Sequence, residues 1–121
     1  MPDLGDGRYR NPVVNADYSD PDVVAGADGY YYLTASSFAC TPGLPILRSP
    51  DLVNWEIVNY ALPAVEPREF YDAAPRHGKG VWAPSIRLHD GMYYIYWGDP
   101  DFGIFMLKSA DPAGSWSKPV L

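Results

Sequence analysis

Carboxylates and aromatic rings are the side chains of this sequence with the clearest capacity for chemistry. Fifteen Asp and Glu stand against nine Lys and Arg, and 15% of the residues are Phe, Trp or Tyr. Together these types suit a sugar. A pyranose has an apolar face that stacks on aromatic rings, and cleavage of a glycosidic bond uses two carboxyl groups flanking that bond. Composition alone makes this unspecific, because aromatic residues of strands also serve as core and cross-strand packing. Other chemistries find less support. Gly78-Lys79-Gly80 neither follows a strand nor opens a helix, which argues against a phosphate-cradling loop. His77 and His89 have no partner at metal-ligand spacing and read as solvated loop residues. Ser36 and Ser37 lack the glycine pattern of a nucleophile elbow, with no histidine placed as their base. Cys40 reads as a small buried apolar group rather than a nucleophile, and as the single cysteine it excludes an intrachain disulfide.

Bulk properties narrow the partners. A net charge of −6 offers no basic patch for nucleic acid. The longest apolar run, residues 92–97, is far short of the ~20 residues that span a bilayer. The opening MPDLGDGRYRNP carries no apolar stretch of a signal peptide. The sequence therefore predicts a soluble protein without a membrane partner, either cytoplasmic or secreted with a leader lost upstream.

Positioning any reactive group falls to β-structure. Thirteen prolines and 11 glycines divide the chain into short pieces, no segment holds a helical period, and aromatic residues favour strands. An internal repeat then sets the architecture. Pro21-Asp22-Val23-Val24 matches Pro84-Ser85-Ile86-Arg87 at an offset of 63 residues, and Gly29-Tyr30-Tyr31-Tyr32 matches Gly91-Met92-Tyr93-Tyr94 at 62. Leu47-Arg48-Ser49 matches Leu107-Lys108-Ser109 at 60, and Trp55 matches Trp116 at 61. Each half predicts four short strands: about 22–25, 30–36, 45–48 and 55–58, then 85–88, 92–97, 103–107 and a last one after Trp116. Asp90-Gly91 is a hairpin signal between two of them. A repeated unit of four antiparallel strands marks a propeller blade. The expectation is an all-β partial β-propeller, with blade 1 over about 20–60, a long inter-blade loop over about 63–80 and blade 2 over about 82–121. A β-sandwich also suits this length but gives no reason for a repeat.

The ordered motifs carry a resemblance. Asn11-Pro12-Val13-Val14, Tyr18-Ser19-Asp20-Pro21-Asp22-Val23, Ser36-Ser37-Phe38, Ser49-Pro50-Asp51-Leu52-Val53-Asn54-Trp55, Trp82-Ala83-Pro84-Ser85 and His89-Asp90-Gly91-Met92-Tyr93-Tyr94 follow one another as in glycoside hydrolase family 43. The resemblance runs from Asn11 to nearly the end of the chain. It implies two of the five blades of a β-propeller glycosidase of the β-xylosidase or α-L-arabinofuranosidase type, inverting, with an oligosaccharide substrate. It further implies that Asp20, preceding a proline at the start of the first strand, is the general base that deprotonates the attacking water. An Asp-Pro pair also simply starts strands, with the carboxylate capping a turn. Phe38 matches an aromatic that lines the subsite of the non-reducing terminal sugar; packing under the Pro42-Gly43 turn is its other reading. Trp82 and Ala83 match a segment that contacts sugar, although a tryptophan at a strand start is as often core. Asp99 and Asp101 occupy the loop that the repeat equates with that of Phe38, and stand as binders of sugar hydroxyls or as solvated turn residues.

The resemblance also defines what these residues do not contain. The family's general acid, a glutamate, and the aspartate that tunes it lie in later blades, expected C-terminal to Leu121, and none of Glu56, Glu66 or Glu69 occupies a matching position. The sequence thus predicts a fragment that is inactive by itself. The chemistry calls for no cofactor; relatives hold a structural cation, such as calcium, in the propeller channel, but no metal-ligand set is identifiable here. The competing class is a non-catalytic carbohydrate-binding or scaffold module built from propeller blades.

Overall fold

Turn chemistry cuts the chain into strands that pair with their sequence neighbours. In the computed structural model, which describes residues 1–121, β1 (Asp22–Ala25), β2 (Tyr31–Thr34), β3 (Gly43–Ser49) and β4 (Glu56–Leu62) form one antiparallel sheet in that order. β5 (Trp82–His89), β6 (Met92–Asp99) and β7 (Gly103–Ser109) form a second, also a meander. His89 pairs with Met92 across the two-residue Asp90-Gly91 turn, where both φ angles are positive (47° and 76°), the geometry that matches strand twist. No helix is long and apolar enough to cross a membrane.

The repeat is preserved in register. Tyr31 faces Ser49 and Leu33 faces Leu47 in the first sheet; Tyr93 faces Ser109 and Ile95 faces Leu107 in the second. Both serines are buried, and each Oγ accepts the N–H of the aspartate two residues on, Asp51 and Asp111, at 3.1 Å. Trp55 and Trp116 each donate the indole N–H to a backbone carbonyl at 3.0 Å, of Leu52 and Pro112. Each sheet is one blade.

Alternation decides how the blades meet. Along β6, Tyr93, Ile95 and Trp97 point inward, whereas Tyr96 is exposed. Trp97 stacks on its cross-strand partner Phe105 at 5.4 Å, and Tyr93 meets Tyr32 of the first blade edge-on at 5.7 Å. These join Leu44, Ile46, Leu62, Ile86 and Leu107 in one core drawn from both sheets. Full burial of each such side chain is worth about 1.5–3 kcal/mol. β3 is buried on both faces, since Leu33, Ala35 and Leu47 form a second cluster covered by Val14, Tyr18 and Trp55.

Three expectations need correction. The strand expected after Trp116 does not develop: only Val120 bridges Met106, with both backbone bonds at 2.8 Å, so the second sheet has three strands. Ser117, Lys118 and Pro119 follow β7 with one backbone bond, Ser117 N–H to Lys108 O, before the proline interrupts the ladder. The 63–80 stretch contains one helical turn, α1 (Arg68–Tyr71), where Pro67 supplies an extended start and the Asp72 N–H closes on Arg68 O. Cys40 is exposed, because it sits in the tight β2–β3 loop and not in a strand.

Candidate active site

The start of β1, the end of β2, the start of β5 and the end of β6 lie at one end of the paired blades. Asp20, Ser36, Phe38, Trp82 and Ala83 all belong to this end. Asp20 and Ala83 are repeat-equivalent, each preceding the proline that leads into an innermost strand. Both have left-handed φ, 48° and 39°, as does Phe38 at 53°. Such conformations at non-glycine residues cost about 1–3 kcal/mol and persist only where surrounding contacts over-determine them.

Those contacts are specific. Ser36 is buried and clamps the Asp20 turn twice. Its N–H donates to Ser19 O at 3.0 Å, and its Oγ–H donates to Asp20 Oδ2 at 2.8 Å. The same Oγ accepts the Ala83 N–H at 2.8 Å, across the seam between blades. Asp20 itself is exposed, and its Oδ1 receives no hydrogen bond from the protein. A second strut crosses the seam beside it, where Phe38 and Val81 exchange backbone bonds at 3.1 Å in each direction. Gly80 allows that approach: its φ is +92°, and a Cβ there would stand 2.4 Å from Phe38 O.

The aromatic walls follow. Phe38 and Trp82 are 37% and 44% exposed, so neither is buried among these residues. The Trp82 indole N–H donates to Gly78 O at 2.8 Å, which fixes the ring against the inter-blade loop. A groove of about 290 Å³ opens beside Ser36, Ser37 and Phe38, walled by Tyr18, Pro45 and Tyr60.

Asp99 stands apart from Asp20 in its surroundings. It is buried; one oxygen accepts the Asp101 and Phe102 N–H groups (2.8 and 3.1 Å) and the other accepts the Tyr71 hydroxyl. Burial and then the Asp99 carboxylate push the Tyr71 hydroxyl well above the ordinary tyrosine range. This bond, with edge-on packing of Phe70 against Tyr71 and Phe102 at 5.0 Å, docks α1 onto the β6–β7 turn. Asp101 is more open and pairs loosely with Lys79 at 3.4 Å. Of the glutamates, Glu56 pairs with Arg48 at 2.6 Å and Glu66 accepts the Arg68 N–H at 3.2 Å. No three His, Cys, Asp or Glu side chains converge.

Sequence reasoning did not single out Ser36, Gly80 or Tyr71 for these roles. Ser36 lay within a quoted motif, yet its partners are 16 and 47 residues away and leave no local signal.

Residues 9–121 match the sequence profile described as Glycosyl hydrolases family 43. The chain belongs to that family. Its two sheets are two blades of the family's five-bladed propeller. Among similar family members, a beta-xylosidase of Formosa agariphila is 38% identical, with 98% of this chain and 20% of that protein covered. The non-reducing end alpha-L-arabinofuranosidase BoGH43B of Bacteroides ovatus is 36% identical over 97% of this chain and 22% of its own length. The solved Bacteroides ovatus xyloglucan PUL GH43B superposes with a TM-score of 0.75 at 33% identity, covering 93% of this chain and 23% of that one. The chain thus spans about a fifth of the length of the family 43 relatives it matches.

Proposed function

We propose that this chain supplies the general-base half of an inverting glycosidase acting on xylan- or arabinan-derived oligosaccharides, with Asp20 as the base. The carrying observation is the Asp20 carboxylate, exposed, with Oδ2 held by Ser36 and Oδ1 without a protein partner, at the end of the blades where Phe38 and Trp82 are also exposed. The names of the family 43 relatives, xylosidases and an arabinofuranosidase, support the substrate class.

In this reading a water donates a hydrogen bond to Oδ1. Its oxygen bonds to the anomeric carbon as the glycosidic C–O bond breaks on the opposite face, and its proton passes to Asp20. The leaving oxygen takes its proton from a carboxylic acid on a blade outside these 121 residues. An inverting pair is about 6.5–9.5 Å apart, and none of Glu56, Glu66 or Glu69 occupies the position of the family's acid. Phe38 and Trp82 wall the terminal sugar, with the Ala83 backbone beside them. Asp101 retains an oxygen for a sugar hydroxyl, while Asp99 holds the turn that carries it.

The test is Asp20→Asn in the full-length polypeptide that carries this segment, assayed on aryl β-xylosides and α-L-arabinofuranosides. The expected loss in kcat is about 10²–10⁴-fold, the usual worth of general-base catalysis. NMR of the first-formed sugar should show inverted anomeric configuration. Activity close to wild type in the variant, or a retained anomer, would overturn the proposal.

A further inference from the structure

We infer that Ser36 is a positioning residue for the base, one that ties the orientation of the Asp20 carboxylate to the docking of the second blade on the first. The inference rests on the proposed base role of Asp20.

A serine hydroxyl has one proton and two acceptor sites. Here the Ala83 N–H occupies an acceptor site at 2.8 Å, and the hydroxyl proton lies toward Asp20 Oδ2, also at 2.8 Å. Asp20 has no proton to offer when ionised, so the relay runs one way: Ala83 N–H to Ser36 Oγ–H to Asp20. A hydrogen bond to a carboxylate is about twice as strong as one between neutral groups, and each bond in such a chain polarises the next. Ser36 is 6% exposed, so water competes little for its hydroxyl.

Geometry gives the relay a purpose. Asp20 is otherwise poorly restrained: it is exposed, holds a left-handed φ of 48° and has no second protein donor on its carboxylate. With Oδ2 anchored, rotation of the carboxylate is restrained, and Oδ1 has no protein partner. Ala83 is the position of blade 2 that the repeat equates with Asp20, so the anchor spans equivalent points of consecutive blades. The paired backbone bonds between Phe38 and Val81 hold the same seam two residues away on each side. Movement of the blades relative to one another would therefore turn the base before it displaced it. Productive water attack needs the accepting oxygen within about 2.6–3.2 Å of the water, and that tolerance is what Ser36 supplies.

A residue that only supports the fold would lower stability without separating kcat from KM. In the full-length polypeptide, Ser36→Ala and Ser36→Gly should lower kcat roughly 10- to 100-fold, the range for a lost hydrogen bond to a charged group, with KM within about threefold of wild type. Ser36→Thr, which keeps the hydroxyl, should recover most of the rate. Thermal midpoints of all three are measured alongside. Unchanged kcat in Ser36→Ala, in a protein that Asp20→Asn inactivates, overturns this inference and leaves the base assignment standing. Equal losses in the Ala and Thr variants that track their melting temperatures also overturn it. Full activity in Asp20→Asn removes the base assignment, and the role of Ser36 with it.

Discussion

Asp51 illustrates how single carboxylates organise this chain outside the candidate site. Its Oδ1 accepts the N–H groups of Val53 and Asn54 at 2.9 and 2.8 Å, and its Oδ2 accepts the Asn54 amide at 2.7 Å. The Asn54 N–H first, then its side chain and the Val53 N–H, hold the Asp51 carboxyl well below the usual carboxylate range. A carboxyl whose folded pKa is depressed contributes stability above its unfolded value, near 3.8, and that contribution fades as pH falls below it. Urea midpoints measured from pH 7 down to pH 2 should therefore fall less steeply for Asp51→Ala than for wild type, from a lower starting value at neutral pH. The same residue type does different work at Asp20, where the carboxylate accepts one protein bond and stays open to solvent. The Asp-Pro motif made that aspartate visible in the sequence. Its distinction from Asp51, Asp99 and Asp22 needed the hydrogen-bond partners, because Asp22 is taken up by Ile86 N–H and Arg87 across the seam.

At the scale of elements, the strands are governed by local rules and the 63–80 stretch by contacts. Gly80 makes the hinge between them. Gly80→Ala should cost at least about 1–2 kcal/mol from its left-handed backbone alone, and more because the new Cβ meets the Phe38 carbonyl. A lowered thermal midpoint together with reduced activity in the full-length polypeptide is the expected result, since Phe38 and Val81 must separate. The α1 turn depends on Tyr71 in a similar way. Tyr71→Phe should cost about 1 kcal/mol and speed limited proteolysis within residues 68–79, which mass mapping of the fragments checks. Tyr71 and Tyr32 both have hydroxyls pushed above the ordinary range, by burial and then by Asp99 and Asp28 respectively. Groups raised in this direction stabilise the fold below their unfolded pKa, near 10, and that support is lost as pH rises beyond it. The strands themselves were legible: β1 falls at 22–25 as its residues predict, and the Asp90-Gly91 hairpin follows from turn chemistry. The missing eighth strand was not, because the repeat marked its place at Trp116 while Pro119 and one surviving bridge decided its length.

For the whole molecule, the shared core makes the two blades one cooperative body. Ile86→Ala removes a fully buried side chain from the seam and should cost about 2–5 kcal/mol. Near- and far-UV circular dichroism should still melt together, because Tyr32, Ile46, Trp97 and Leu107 belong to one cluster. The outer faces are a different matter. Val14, Val23, Leu33 and Trp55 line an apolar groove on the first blade, and Leu62, Phe105, Trp116 and Leu121 line another where the end of β4 meets the second blade. Ile57 and Ile104 are exposed as well, and these faces and the open edges invite association. The 121-residue chain by itself should therefore show concentration-dependent association by light scattering. It should also hydrolyse aryl xylosides no faster than background, since the proposed base would act there without an acid.

What the sequence by itself determined is periodic or local. Proline and glycine punctuation placed the strands, the offset of about 60 residues divided them into two blades, and the resemblance of the ordered motifs to family 43 singled out Asp20. Each is carried by residue types and their order along the chain, and none requires distant groups to be in contact. The tertiary structure alone decided the rest, because it concerns groups far apart in the chain that meet at the blade seam. Ser36 reaches Ala83 across 47 residues, Tyr71 reaches Asp99 across 28, and Gly80 lets two loops touch. Those contacts determine which aspartate faces solvent with a free oxygen and which one is sealed into its own turn.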